Sequence, residues 1–213
     1  MLTVFLVGLI GASKQPSYNE NALVSVKEAD KDVMKGSGFV YGSEGYMITN
    51  NHVAVSKNGS ETDLEVRFNQ SGEWVEVVTV GRNPEADLAI LKIEHLPDGV
   101  ETLQPSNIIL EKGQEVEVLG SSPKRGERVL TGKVVDVSED IRTREGVRLK
   151  DALVISAPIE LGNSGGPVLI SKREFVGVIS ARNEDEELGF AIPASSVRDT
   201  VNQIIGDQNA KVN

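Results

Sequence analysis

Cysteine is absent from the 213-residue chain. Its absence excludes disulfides, thiolate metal sites, iron–sulfur clusters and cysteine nucleophiles. Histidine is nearly as scarce, with His52 and His95 the only two. A histidine-rich metal centre is therefore excluded, no metal or other cofactor is expected, and any catalytic imidazole is one of these two. Basic residues are outnumbered, 22 Lys and Arg against 32 Asp and Glu, which gives a net charge of −10. A nucleic-acid binder needs a basic face, so nucleic acid is not an expected partner. No apolar run approaches the roughly 20 residues of a membrane-spanning helix. Internal repeats and low-complexity segments are missing as well.

What remains is a globular composition, 39% hydrophobic and 25% charged, outside the range of disordered chains. The length corresponds to about 1.4 units of about 150 residues, so one large or two small units are expected. Residues 1–13 carry no charged side chain and end in the small residues Gly11-Ala12-Ser13. They read as the apolar part of a signal peptide or a shortened anchor, without a basic leader, or else as an extra edge strand. Either of the first two implies an extracytoplasmic protein, periplasmic, secreted or membrane-anchored, and membrane association through this segment. Residues 14–22 form a polar linker.

From there the chain alternates and is rich in β-branched residues over short stretches: 23–28, 37–41, 45–49, 63–68, 73–80, 87–92, 114–119, 128–137, 152–158, 167–171, 174–181 and 188–192. Turn residues such as Asn58-Gly59, Ser71-Gly72 and Asp98-Gly99 separate them. The only clear helical period comes last, with Val197, Val201, Ile204 and Ile205 on one face and Gly206 as a stop. A dozen strands are too many for one small barrel. The expected fold is all-β, two six-stranded antiparallel β-barrels with a C-terminal α-helix. The expected division is leader and linker 1–21, N-terminal barrel 22–105, C-terminal barrel 106–193, and helix and tail 194–213.

One hexamer carries chemistry: Gly162-Asn163-Ser164-Gly165-Gly166-Pro167. Glycines on both sides of a serine allow a tight turn with backbone close to a substrate. They also let successive N–H groups converge on one point, as an oxyanion hole requires. Taken alone, the hexamer reads equally well as a Gly/Ser-rich hairpin turn. A serine hydroxyl needs a base. His95 lies in the turn-like Glu94-His95-Leu96-Pro97-Asp98 and reads as a solvated loop residue. His52 follows an apolar strand and is the candidate base, at a strand end facing a cleft. Asp87 opens the apolar stretch 88–93, where burial of an unpaired charge is costly. It is the candidate to orient the imidazole, although by itself it fits a solvated strand start. The chain order His52, Asp87, Ser164 is that of chymotrypsin, distinct from subtilisin and the α/β-hydrolases.

With these residues in place the chain resembles an HtrA/Deg-type serine protease of the chymotrypsin fold. The matching stretches are 36–53 (GSGFVYGSEGYMITNNHV), 86–93 (ADLAILKI), 113–123, 129–138, 162–169 (GNSGGPVL) and 189–193 (GFAIP). The resemblance implies His52 as general base, Asp87 as its orienting partner and Ser164 as nucleophile. It implies an oxyanion hole from the N–H groups of Gly162 and Ser164. It further implies a substrate pocket lined by Ile159, Leu161, Ile179 and Ala181, with Ser180 offering backbone hydrogen bonds to extended substrate and a small or medium aliphatic residue preferred before the cut. Polypeptides are the expected partners, protein quality control the expected role, and a homotrimer an open expectation. Asn163 stands where many digestive enzymes carry Asp, so their zymogen switch is not expected. Glu160-Leu161 departs from the family's usual Asn-Pro. The acidic loop 182–187 either favours basic residues near the cut or is a solvated hairpin tip. With 20 residues after Pro193, no PDZ module is expected within the chain. Two rival readings stand: a non-catalytic peptide-binding or chaperone-like module on the same fold, and a dedicated processing protease.

Overall fold

The computed structural model describes residues 22–68, 72–142, 148–183 and 185–211. The apolar leader 1–13 and residues 14–21 of the linker lie outside the described residues. So does Glu184 of the acidic loop.

The first barrel is built from β1 (Leu23–Glu28), β2 (Met34–Tyr41), β3 (Tyr46–Thr49), β4 (Leu64–Phe68), β5 (Val75–Asn83) and β6 (Leu88–Lys92). These six strands close in the order β1-β2-β3-β6-β5-β4. One helical turn, α1 (Asn51–Ala54), follows β3. The second sheet holds β7 (Gln104–Pro105), β8 (Glu115–Ser122), β9 (Gly126–Arg142), β10 (Arg148–Ser156), β11 (Pro167–Leu169), β12 (Glu174–Asn183) and β13 (Leu188–Pro193). Its order is β11-β8-β9-β10-β13-β12-β7, and β11 also pairs with β12. That extra pairing joins the ends of a six-strand order and leaves β7 attached outside, parallel to β12. The expected two-barrel fold is therefore present, with a two-residue parallel strand that alternation could not reveal.

The apolar residues divide into three groups by strand periodicity. In β6, Ala89 and Leu91 fill the first barrel, while Leu88 and Ile90 face the second. In β2, Val40 points inward and Phe39 outward. In β12, Val176 and Ile179 fill the second barrel, and Phe175 and Val178 face the first. Strands buried on both faces read as continuous apolar runs rather than alternating ones, which is why Leu88-Ala89-Ile90-Leu91 has no polar interruption. Between the barrels Phe39 and Phe175 meet with ring centroids 4.9 Å apart, tilted by 59°.

The C-terminal helix α2 (Ala194–Lys211) closes this interface with Ala194, Val197 and Val201. The expected stop at Gly206 does not occur. Glycine costs a helix interior only about 1 kcal/mol relative to alanine. Ile204 holds the preceding turn against Gly81, where a Cβ would approach Ile204 Cγ2 to 2.6 Å. The strand expected over 152–158 is shifted to 148–156, ending before Pro158, which has no N–H to donate to a ladder.

Phe175 is fully buried at the junction. Phe175→Ala is expected to destabilise the fold by about 3–5 kcal/mol. Chemical-denaturant unfolding, comparing midpoints at equal slope, measures it.

Candidate active site

The apolar β3 carries Thr49 and Asn50 into the junction, and α1 then turns His52 into the cleft. The imidazole thus sits on a helical turn rather than at the strand end that the sequence suggested. Asp87 stands immediately before β6 with φ +53°, a left-handed conformation rare for a residue with a side chain. Two amides fix that turn. Asn83 Oδ1 accepts the Ala86 N–H at 3.1 Å, and Asn50 Nδ2 donates to the Asp87 carbonyl at 3.0 Å.

Asp87 is 1% exposed, yet its carboxylate is well satisfied. Oδ1 accepts the His52 backbone N–H at 3.1 Å. Oδ2 lies 2.9 Å from His52 Nδ1 and accepts the Ser180 hydroxyl at 2.6 Å. An ionised carboxylate can only accept, so the neutral imidazole carries its proton on Nδ1. Nε2 is then left with a lone pair toward the cleft, the tautomer a general base needs.

The turn 158–166 delivers Ser164. Gly162 adopts φ +98°, and a Cβ there would meet the Ser121 carbonyl oxygen at 2.5 Å and Met34 Cε at 2.6 Å. Only glycine fits both demands. The buried Asn163 ties the turn to itself, accepting the Glu160 N–H at 2.8 Å and donating to the Ser121 carbonyl at 3.4 Å. Neither the Gly162 nor the Ser164 N–H has an acceptor among the described residues, whereas the N–H groups of Asn163, Gly165 and Gly166 all do. Ser164 Oγ donates to the Ser180 carbonyl at 3.5 Å and forms no hydrogen bond to His52.

His52, Ser164 and Gly162 line one cleft of about 640 Å³. Ile159, Leu161, Ile179, Ser180 and Ala181 line it too. Ile159 and Ile179 are buried walls, and Gly189 backs Ile159, where a Cβ would approach Ile159 Cγ1 to 2.7 Å. Leu161 is 73% exposed and belongs to the rim. Ser180 does more than its backbone suggested, since its hydroxyl supports Asp87. His95 is exposed, as its turn setting predicts. Asp185, Glu186 and Glu187 are exposed at the β12–β13 hairpin tip and do not line the cleft. Among the described residues no group of three or more metal-ligating side chains is gathered.

Sequence reasoning missed three contributors. Lys35 and Arg182 line the cleft, and Ser37 holds the turn that carries Ser164 from the other barrel. Arg182 Nη1 donates to the Ile159 carbonyl at 3.0 Å. The available signal for Ser37 was Gly36-Ser37-Gly38 within a strand, a mark of close backbone approach.

The trypsin-like peptidase domain family model matches residues 36–178. The chain is 31% identical over 220 residues to "Protease Do-like 8, chloroplastic" of Arabidopsis thaliana, covering 95% of this chain and 47% of that protein. It is 30% identical over 182 residues to "Probable periplasmic serine endoprotease DegP-like" of Brucella suis biovar 1, covering 83% and 34%. The chain thus spans about half, or about a third, of the length of these relatives. Among solved structures it resembles the serine endoprotease from Yersinia pestis, with TM-score 0.71, 27% identity, and coverage of 91% and 68%. It also resembles the Rv3671c protease from M. tuberculosis in its active form, with TM-score 0.73, 25% identity, and coverage of 87% and 81%.

Beside the cleft, Lys35 Nζ pairs with Glu28 at 3.0 Å and also donates to the Val55 carbonyl. Hydrogen bonds from Lys31 and then Lys35 hold the Glu28 carboxyl below its ordinary value. A depressed carboxylate stabilises the fold above the unfolded-state value, about 4.3, and that contribution disappears as pH falls through the lower folded value. Glu28→Gln is expected to remove this part of the acid-side loss. Stability against pH from 6 down to 3, measured for both chains, checks it: parallel curves contradict the assignment.

Proposed function

We propose, because this chain belongs to the trypsin-like peptidase family, that it is a serine endopeptidase with His52, Asp87 and Ser164 as its triad. The observation that carries the reading is the held His52–Asp87 pair beside Ser164, in one cleft with two amide N–H groups that have no acceptor among the described residues. Ser164 Oγ attacks the substrate carbonyl carbon, and its proton passes to His52 Nε2. The oxyanion accepts from the Gly162 and Ser164 N–H groups. His52 then gives its proton to the departing amine as the C–N bond breaks. Water, deprotonated by the same nitrogen, adds to the acyl carbon, and as the bond to Ser164 Oγ breaks His52 returns that proton to the serine oxygen. Asp87 stays ionised and stabilises the imidazolium.

Supporting the substrate class, the cleft opens beside β12, where extended polypeptide can lie along the strand. Exposed or unfolded chains meet that need, and quality control is the corresponding role. The periplasmic and chloroplastic names of the relatives support an extracytoplasmic or organellar setting. Among the described residues no helix is long and apolar enough to cross a membrane. Membrane association through residues 1–13 belongs to the same reading, as does a homotrimer.

One observation favours the rival, a peptide-binding module: Ser164 Oγ is turned to Ser180 rather than His52. Such bonds are often long or misaligned before substrate arrives. Fluorophosphonate labelling separates the two. The expected result is covalent modification at Ser164 and casein cleavage, with Ser164→Ala lowering kcat by at least about 10⁴-fold. Well-folded protein that never labels sinks the peptidase and leaves the binder.

The apolar walls Ile159 and Ile179, tied to β12 through Arg182, favour a small aliphatic side chain before the cut. Arg182→Ala removes the tie. It is expected to raise kcat/KM for Leu or Phe at that position by about tenfold relative to Ala, within the range one or two methylenes command. A peptide series varied only there measures this, and an unchanged ranking contradicts it.

A further inference from the structure

We propose that Ser37, from the first barrel, is the positioning residue of the oxyanion hole in the second; the proposal rests on the peptidase reading above. Ser37 lies in β2 and is fully buried. Its hydroxyl donates to the Gly162 carbonyl at 2.6 Å and accepts the Ser121 N–H at 2.8 Å. Its N–H donates to the Ser164 carbonyl at 2.7 Å. Its own carbonyl accepts the Thr49 hydroxyl at 2.7 Å. Every polar atom of this one residue is thus engaged, and two of its bonds end on the nucleophile turn.

Those two bonds bracket the segment that matters. The Gly162 and Ser164 carbonyls are both held by Ser37, while the N–H groups of the same two residues are left for substrate. Gly162 has no side chain to limit its rotation, and at φ +98° it lies where glycine moves freely. The Ser37 hydroxyl holds the carbonyl end of the Gly162–Asn163 peptide, and the Asn163 N–H, donating to the Glu160 carbonyl at 3.2 Å, holds its other end, so the two bonds together set the plane of that peptide. The fit is close on all sides. A Cβ on Gly165 would lie 2.0 Å from the Ser37 carbonyl oxygen, and one on Gly36 would lie 2.8 Å from the Ser164 carbonyl oxygen. The sequence Gly36-Ser37-Gly38 therefore supplies a hydroxyl where the two barrels approach backbone to backbone. Without it, the Gly162–Asn163 peptide keeps only its Asn163 bond to Glu160. Because Gly162 turns freely about its own φ and ψ, the preceding peptide that carries the Gly162 N–H is no longer held at the oxyanion position, while the walls of the substrate cleft stay in place.

The test compares a peptide aldehyde with the matching peptide alcohol. The aldehyde adds Ser164 Oγ across its C=O, passes the serine proton to His52 and places an oxyanion in the hole. The alcohol occupies only the cleft. Ser37→Ala is expected to lower the aldehyde-over-alcohol affinity ratio about tenfold or more. It should also lower kcat about tenfold or more with KM within about twofold, a fraction of the loss from deleting an oxyanion donor. Ser25→Ala is the seam control, because Ser25 Oγ donates to Ser121 Oγ at 2.9 Å without touching the nucleophile turn. It should keep the ratio whatever it does to Tm. A ratio unchanged in Ser37→Ala, or lost equally in Ser25→Ala, overturns the proposal. If Ser37→Ala does not fold, Ser37→Cys, with a weaker donor, is read in its place against the same limits. If the wild-type chain neither labels with fluorophosphonate nor prefers the aldehyde, the peptidase reading fails instead.

Discussion

The cleft exists because two independently packed barrels are held in one register, and a few buried hydrogen bonds set that register. Ser25 to Ser121, Ser37 to Ser121, Gly162 and Ser164, and Ser180 to Asp87 all cross from one barrel to the other. The apolar junction around Phe39 and Phe175 supplies adhesion, but apolar contact is non-directional. The polar bonds supply direction. Each contributes a net stability of only about 1 kcal/mol, whereas an unpaired buried partner costs about 1–3 kcal/mol. That asymmetry penalises any slide of one barrel on the other more than it stabilises the pair.

Asp87 shows the same logic at higher stakes. A buried carboxylate without donors would be neutralised by protonation or would disrupt the core. Here it receives the His52 backbone, the His52 ring and Ser180. Two of those donors come from α1 and one from β12, so the carboxylate is satisfied only when both barrels are in place. The left-handed turn at Asp87 costs on the order of 1 kcal/mol. Asn83 and Asn50 hold it open. The imidazole is therefore oriented by the fold itself, through the backbone and ring bonds that His52 makes to Asp87.

The barrels were legible in the chain because strands and turns leave local marks. So was the order of the three candidate residues, since each lies in a distinctive local setting. What could not be read depends on contacts between distant segments. Ser37 looks like any strand serine until Gly162, 125 positions later, is brought against its hydroxyl. Ser180 faces a carboxylate 93 positions away. Leu161 was expected as a wall and is a rim residue, because alternation is not defined in an irregular turn. Gly206 looked like a helix stop, but a single exposed glycine lowers helix stability without ending it.

The net charge of −10 takes on a different sense at the cleft. The hairpin acids Asp185, Glu186 and Glu187 face solvent, and Asn183 Nδ2 bonds Glu186 at 2.9 Å. The charged lining is cationic on balance, Lys35, Arg142 and Arg182 against Glu160, although Lys35 is paired with Glu28 at 3.0 Å. Glu160 is itself paired with Arg125 at 3.0 Å and bonded by Ser122 at 3.2 Å. Screening at physiological salt limits either field to about 8 Å. An acidic segment is therefore repelled by the surface at large and attracted only once it is inside the cleft, while an apolar segment feels neither effect strongly. What distinguishes the walls is then their shape, which is set by Ile159, Ile179 and the Arg182 tie to the Ile159 carbonyl.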